Sequence, residues 1–301
     1  MRNYILFFVL VLVVHTSYGQ QDPLYSQYLN NPIVLNPAYA GVNNIFSASA
    51  GYRTQWRGLD GSPTTAVVSA HSSLLNNKVG AGLTIIRDEL GATTNTQINI
   101  AGAYKIEFGD NVFSFGLQSG INNYKEDNSQ LEVRDPGDPL FTGNQSFTKV
   151  NFGAGAIVKG PRYFVGLSIP RLVNSKEQID NIETEIYSRH YYLALGYYFQ
   201  LGANLGLKAA TMVKAVSDVP ASIDYSATAL FLDRFSAGLM SRNFETYGLM
   251  VGMQISENLR FGYTFEVPTN QSVGSKFNSH ELSLTLDMEV FDFHFLSDRY
   301  F

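Results

Sequence analysis

From Ile45 onward, large apolar or aromatic residues alternate with small or polar ones at every second position, and no stretch carries a convincing helical period. Successive side chains of a β-strand point to opposite faces, so a period of two marks strands with one apolar and one polar face. Phe113, Phe115 and Leu117 enclose Ser114 and Gly116; Tyr163, Val165, Leu167 and Ile169 enclose Phe164, Gly166 and Ser168; Leu282, Leu284, Leu286 and Met288 enclose Ser283, Thr285 and Asp287. The pattern predicts strands at 45–53, 64–72, 80–87, 93–108, 112–122, 150–159, 163–170, 190–201, 205–216, 221–232, 235–240, 246–255, 259–267 and 280–289. The expected fold class is therefore all-β: a transmembrane outer-membrane β-barrel of about fourteen antiparallel strands, an even number as single-chain bacterial barrels have.

Charge and loop length separate such a barrel from a soluble β-sandwich. Charged residues make up 16% of the chain against 45% hydrophobic ones, whereas soluble domains carry about 25% charge. A face that meets lipid has to be charge-poor, because a charge at the bilayer midplane costs about 2–4 kcal/mol. Tight links at Gly109-Asp110, Gly160-Pro161, Gly202-Ala203-Asn204, Asp233-Arg234 and Ser256-Glu257-Asn258 use turn-forming residues. Between them come longer polar segments at 54–63, 123–149, 171–189 and 268–279, as expected of short periplasmic turns and longer outer loops, although 74–79 is a middling turn and the outer links at 88–92, 217–220 and 241–245 are short for loops. A sandwich does not predict that alternation. Aromatic pairs at strand ends, Tyr104 with Phe108, Tyr198 with Phe199 and Phe231 with Phe235, suit interfacial girdles.

The first residues have the layout of a secretory signal: Arg2, an apolar run from Tyr4 to Val14, then Ser17-Tyr18-Gly19 before Gln20-Gln21-Asp22. The run is shorter than the roughly 20 residues a spanning helix needs. The expected domains are a signal peptide at 1–19, a periplasmic or plug-forming lead at 20–44 and the barrel at 45–301, with both termini in the periplasm. The chain has no cysteine, so it forms neither a disulfide nor a lipidated anchor. A net charge of −5 speaks against a nucleic-acid partner.

The lead contains Asp22-Pro23-Leu24-Tyr25-Ser26-Gln27-Tyr28 and Asn36-Pro37-Ala38-Tyr39-Ala40-Gly41, which are neither barrel strand nor flexible spacer. With Arg53-Thr54-Gln55-Trp56-Arg57-Gly58, Asp138-Pro139-Leu140-Phe141, Gly166-Leu167-Ser168-Ile169-Pro170, Ser279-His280-Glu281-Leu282 and the closing Arg299-Tyr300-Phe301, this ordered set resembles the PorP/SprF family of type IX secretion membrane proteins. It spans nearly the whole chain beyond the signal. The resemblance implies an outer-membrane barrel of Bacteroidota that serves type IX secretion and gliding. It also implies a secreted adhesin-like partner docked through that partner's C-terminal domain, and contacts with the translocon and periplasmic envelope components. Two departures, Leu207-Lys208-Ala209-Ala210-Thr211 without a Pro-Ser pair and Asn278 ahead of Ser279-His280, bear on partner choice rather than fold.

No nucleophile elbow, His-Glu-x-x-His or phosphate-cradling loop occurs, so the chain is read as a non-enzyme without cofactor or metal. His280-Glu281, near an outer strand end, has the composition of a lumen acid–base pair, although hydrogen-bonded lumen groups are the commoner use. Asp135-Pro136-Gly137-Asp138 offers two carboxylates of the kind calcium takes, yet its Pro and Gly already favour a plain turn. Trp56, the single tryptophan, lies between Arg53 and Arg57 in the first outer loop, and both residue types are enriched at protein hot spots. Small residues of the inner-face parity, Gly116, Gly166, Gly196, Gly248 and Gly262, leave room in the lumen for the Asn-Pro-Ala-Tyr segment to fill. The expected plug or partner-binding residues are Tyr25, Asn36, Pro37, Tyr39, Arg53, Trp56, Arg57, Asp138, His280 and Glu281. The expected function is docking of a secreted adhesin at the cell surface; a channel for small hydrophobic compounds is the alternative.

Overall fold

A computed structural model describes residues 26–128, 144–179, 182–217, 219–269 and 276–295, with the backbone alone for 175–187. The strands are β1 (Phe46–Thr54), β2 (Thr64–Leu74), β3 (Val79–Leu90), β4 (Thr93–Phe108), β5 (Asn111–Glu126), β6 (Gln145–Lys159), β7 (Tyr163–Ile169), β8 (Ser175–Ile179), β9 (Ile182–Tyr187), β10 (His190–Gly202), β11 (Leu205–Val216), β12 (Val219–Phe231), β13 (Phe235–Arg242), β14 (Thr246–Gln254), β15 (Leu259–Pro268) and β16 (Ser279–Met288). Each strand of the main sheet pairs antiparallel with its sequence neighbours, and β1 pairs with β16, which closes a barrel of 14 strands. Closure leaves no open edge, as a sheet in hydrocarbon requires.

The alternation read from the sequence is the alternation of the pleat. On β4, Ile98, Ile100, Tyr104, Ile106 and Phe108 are exposed, while Gln97, Asn99, Ala103 and Lys105 are buried. The same split recurs on β16, where Leu282 and Leu284 face outward and Glu281, Thr285 and Asp287 face the lumen. The core is thus inverted relative to a soluble protein, with a polar interior and an apolar belt far larger than soluble monomers display. The belt carries Tyr52, Tyr191 and Tyr247 towards the loop rim and Tyr104, Phe108, Phe231 and Phe235 towards the turn rim. Tyr198 departs from the girdle expectation: it points inward at 1% exposure, and its hydroxyl donates to Gln200 Oε1 at 2.9 Å. The pleat explains this, because Tyr198 and Phe199 are consecutive and only one of them faces lipid.

One rim carries only short links, while the other carries the long segments together with three short links, at 91–92, 217–218 and 243–245. Strands β5 and β6 run beyond the expected 122 and 150 to Glu126 and Gln145, pairing above the lipid-facing zone. That extension carries only one aromatic pair among polar residues and so little alternation to read; Asn123 Nδ2 donates to Thr148 Oγ1 at 2.8 Å and Tyr124 stacks on Phe147. Strands β8 and β9 form a separate antiparallel hairpin within the expected loop 171–189. Its sequence, Lys176-Glu177-Gln178 facing Glu183-Thr184-Glu185, lacks the apolar face by which strands are recognised.

Candidate functional site

Residues 26–45 lie inside the barrel and cross it from the loop rim to the turn rim, where Ile45 leads into β1. Two prolines shape the segment. Pro32 and Pro37 each open a single 3₁₀ turn, Pro32–Val34 and Pro37–Tyr39, where a missing N–H costs nothing. Asn36 caps the second turn by accepting from the Ala38 N–H at 2.9 Å. Its Nδ2 then donates to the backbone carbonyls of Ala156 and Leu167, at 3.2 and 3.3 Å, where β6 and β7 adjoin. Ser168 Oγ donates to Leu35 O and Ser114 Oγ to Ala38 O, both at 2.7 Å, so wall side chains satisfy carbonyls the turns leave over. Ile33, Ala38, Tyr39 and Val42 form one hydrophobic cluster of the lumen with Ala103, Ile157, Phe164 and Tyr198, and Tyr28, Val34 and Leu35 form a second with Val67, Ile86, Tyr192 and Met212.

The wall makes room with glycine. A Cβ at Gly80 would overlap the Ala40 carbonyl, and one at Gly116 the Pro37–Ala38 peptide. The lumen-side glycines Gly116 and Gly262 touch the segment closely, Gly166 lies against Asn36, and Gly248 instead faces Met240 and Glu266.

At the loop rim the segment meets an ionic cluster. Arg53, only 2% exposed, donates to Glu266 Oε1 and Oε2 at 2.6 and 2.8 Å and to Glu281 Oε2 at 2.9 Å. Arg242 donates to both oxygens of Asp224, at 2.8 and 3.1 Å, and lies 3.7 Å from Glu266. Two guanidiniums therefore face three carboxylates. The remaining negative charge is met by the lead, since the N–H groups of Ser26 and Gln27 donate to Glu281 Oε2 and Oε1 at 2.8 and 3.0 Å. Ser26 Oγ donates to Glu266 and accepts from Arg53. At the turn rim Lys105 Nζ donates to Asn44 Oδ1 and Ser73 Oγ, at 2.6 and 2.8 Å, and to Gly41 O, while the Gly41 N–H donates to His71 Nδ1 at 3.2 Å. Charge-assisted bonds of this kind are about twice as strong as neutral ones.

Of the residues singled out from sequence, Asn36, Pro37 and Tyr39 lie in the lumen segment, and Arg53 and Glu281 meet in the cluster. Trp56 and Arg57 stand apart in the first loop, tied by backbone bonds to Ser279 Oγ and Asn278 O at 3.3 and 2.8 Å. Trp56 adopts a positive φ of 51°. His280 and Glu281 do not form a lumen pair: adjacent positions of β16 face opposite sides, and His280 turns outward to Tyr263 Oη at 2.7 Å and Asn278 Oδ1 at 2.9 Å. Tyr25 and the Asp135–Asp138 segment, Asp138 included, lie outside the described residues. Ser26, the first described residue, sits beside Arg53, one residue from the loop end of β1. Sequence reading missed Glu266, Arg242, Asp224 and Lys105. All four have the inward parity, and a charge of that parity in a charge-poor chain is the signal that would have found them.

A closed antiparallel barrel with a lipid-grade exterior and a polar lumen crossed by its own chain is an outer-membrane β-barrel. The chain belongs to the type IX secretion system membrane protein PorP/SprF family, whose model matches residues 17–286. No curated protein matches it. Among solved structures it is similar to the TodX deltaS2S3 mutant monoaromatic hydrocarbon channel, at 11% identity and TM-score 0.51 over 86% of this chain and 94% of that one. It is also similar to the CymD monoaromatic hydrocarbon channel, at 11% identity and TM-score 0.50 over 86% and 93%. The Acinetobacter baumannii outer membrane protein Omp33 aligns at 8% identity and TM-score 0.48 over 82% and 100%. At these identities the likeness concerns the fold alone.

Proposed function

We propose that this barrel is a plugged docking platform: its N-terminal segment closes the lumen, and its long loops hold a secreted adhesin-like protein at the cell surface through that partner's C-terminal domain. The observation that carries this reading is the segment 26–45, hydrogen-bonded to the wall at both rims, which leaves the loop rim as the surface on which a partner can act. Membership of a type IX secretion family supplies the context of a secreted partner, the translocon and periplasmic envelope components. In the orientation we propose, the turn rim and the described C-terminal residues face the periplasm and the long loops face outward.

The rival reading is a conduit for small hydrophobic compounds, after the printed descriptions of TodX and CymD. A lumen lined by Arg53, Glu266, Asp224 and Arg242 disfavours an apolar solute. Purification of the tagged barrel from its own membranes in mild detergent, followed by mass spectrometry, tests the proposal. A large secreted protein that co-purifies, and is lost when residues 57–62 of the first loop are replaced by a short turn, is the expected result. Recovery of the barrel without any secreted protein would refute it.

A further inference from the structure

Strand β6 stands taller than its neighbour β7. It pairs with β5 along its whole length, from Lys159 to Gln145, but with β7 only from Lys159 to Ala154. Proline accounts for the step. Pro170 follows directly on β7 and has no N–H to offer β6. Its carbonyl turns inward, where Gln118 Nε2 and Asn151 Nδ2 both donate to it at 2.9 Å. Gly153 admits the turn, because a Cβ there would lie 2.5 Å from the Pro170 carbonyl oxygen. One main-chain bond follows, from the Leu172 N–H to Phe152 O at 2.8 Å. The chain then departs into the hairpin β8–β9, which forms a sheet of its own.

That last bond fixes which groups are left over. Along a strand the N–H and C=O of one residue point to the same side, and those of the next residue to the other. Phe152 faces the β7 side, so Val150, Thr148 and Ser146 face it too, while Asn151, Lys149, Phe147 and Gln145 face β5. Among the described residues no main-chain group bonds to Ser146, Thr148 or Val150 from the β7 side. Residues 145–150 thus form an open sheet edge of about 20 Å, at roughly 3.4 Å per residue, on the loop-rim side of the lipid-facing belt. The edge has neither bulge nor proline, two devices by which open edges are blunted. A row of donors and acceptors at this spacing is satisfied by an extended backbone.

We propose that residues 145–150 of β6 receive a β-strand of the secreted partner, which extends the barrel wall outward at the step above β7. The inference rests on the docking role and names the surface through which it operates. Thr148→Pro removes one edge-facing N–H and spares the main-chain bonds to β5, to which Thr148 does not contribute. Thr148→Val keeps the N–H and loses only the side-chain contact with Asn123 Nδ2. In purification of the tagged barrel from its own membranes, Thr148→Pro is expected to lower the recovered secreted protein about tenfold, and Thr148→Val to leave it unchanged. Hydrogen exchange resolved to single amides gives a second measurement. In the barrel alone Ser146, Thr148 and Val150 should exchange at least about tenfold faster than Phe147 and Lys149, and in the complex they should slow to match them. This comparison decides the matter if heat-modified mobility on gels shows that Thr148→Pro does not fold. Recovery undiminished by Thr148→Pro, or lowered equally by both variants, while replacement of residues 57–62 abolishes it, would overturn strand addition and leave docking standing. Protected edge amides in the barrel alone would also overturn it, because a second copy or the protein's own chain would then occupy the edge. Recovery of no secreted protein with the unmodified barrel would remove both readings.

Discussion

Replacing Arg53 with methionine is expected to destabilise the barrel by about 3–5 kcal/mol, the cost of breaking a buried ion pair by removing one partner. Glu266 and Glu281 would be left buried beside each other with Arg242 as their nearest cation, and Ser26 would lose a donor to its hydroxyl. Equilibrium urea unfolding in lipid vesicles measures the change as a shift in midpoint at constant slope. Arg53→Lys keeps the charge but not the forked geometry that reaches two carboxylates, and is expected to fall between the two. Adding Glu266→Gln to Arg53→Met should recover part of the loss, because it removes one uncompensated carboxylate. A midpoint unmoved by Arg53→Met would mean that the cluster does not hold the structure together.

The second large effect concerns the glycines. Gly80→Val and Gly116→Val together are expected to unseat the lumen segment, since each adds side-chain atoms where backbone already lies. Overpacking of this kind costs about 1–3 kcal/mol per site. The sheet itself can relieve the clash by releasing residues 26–45, so the barrel should persist while the segment detaches. Limited proteolysis reads this directly: cleavage within 26–45 should accelerate at least about tenfold over the unmodified protein. Gly102→Val is the control, because nothing lies within 4 Å of a Cβ there. Equal resistance of the double variant and the control would show that the segment is not seated against those glycines.

The membrane-spanning part of this fold was legible because the bilayer enforces the alternation that sequence reading detects. Strands β4 and β11 coincide with the expected 93–108 and 205–216, and the remaining barrel strands differ only at their ends. Where lipid no longer enforces a face, the signal fails, as in the extensions of β5 and β6 and the polar hairpin β8–β9. The candidate site was legible in part. Asn36, Pro37, Arg53 and Glu281 all stood out through the family's motifs. Their assembly with Glu266, Arg242 and Asp224 depends on barrel register across five strand pairings from β12 to β1, the last of them the closure of β16 on β1, which no local pattern encodes. His280 illustrates the converse: its neighbour Glu281 belongs to the cluster, and one step along the pleat places it against Tyr263 and Phe265 on the outer face.

The account rests on a lipid-embedded barrel whose lumen is filled by its own chain. Single-channel recording in a planar lipid bilayer addresses this most directly. The unmodified protein is expected to insert without conductance steps of porin size, and the Gly80→Val/Gly116→Val variant to produce them. A large, permanently open conductance from the unmodified protein, no different in the variant, would contradict the account.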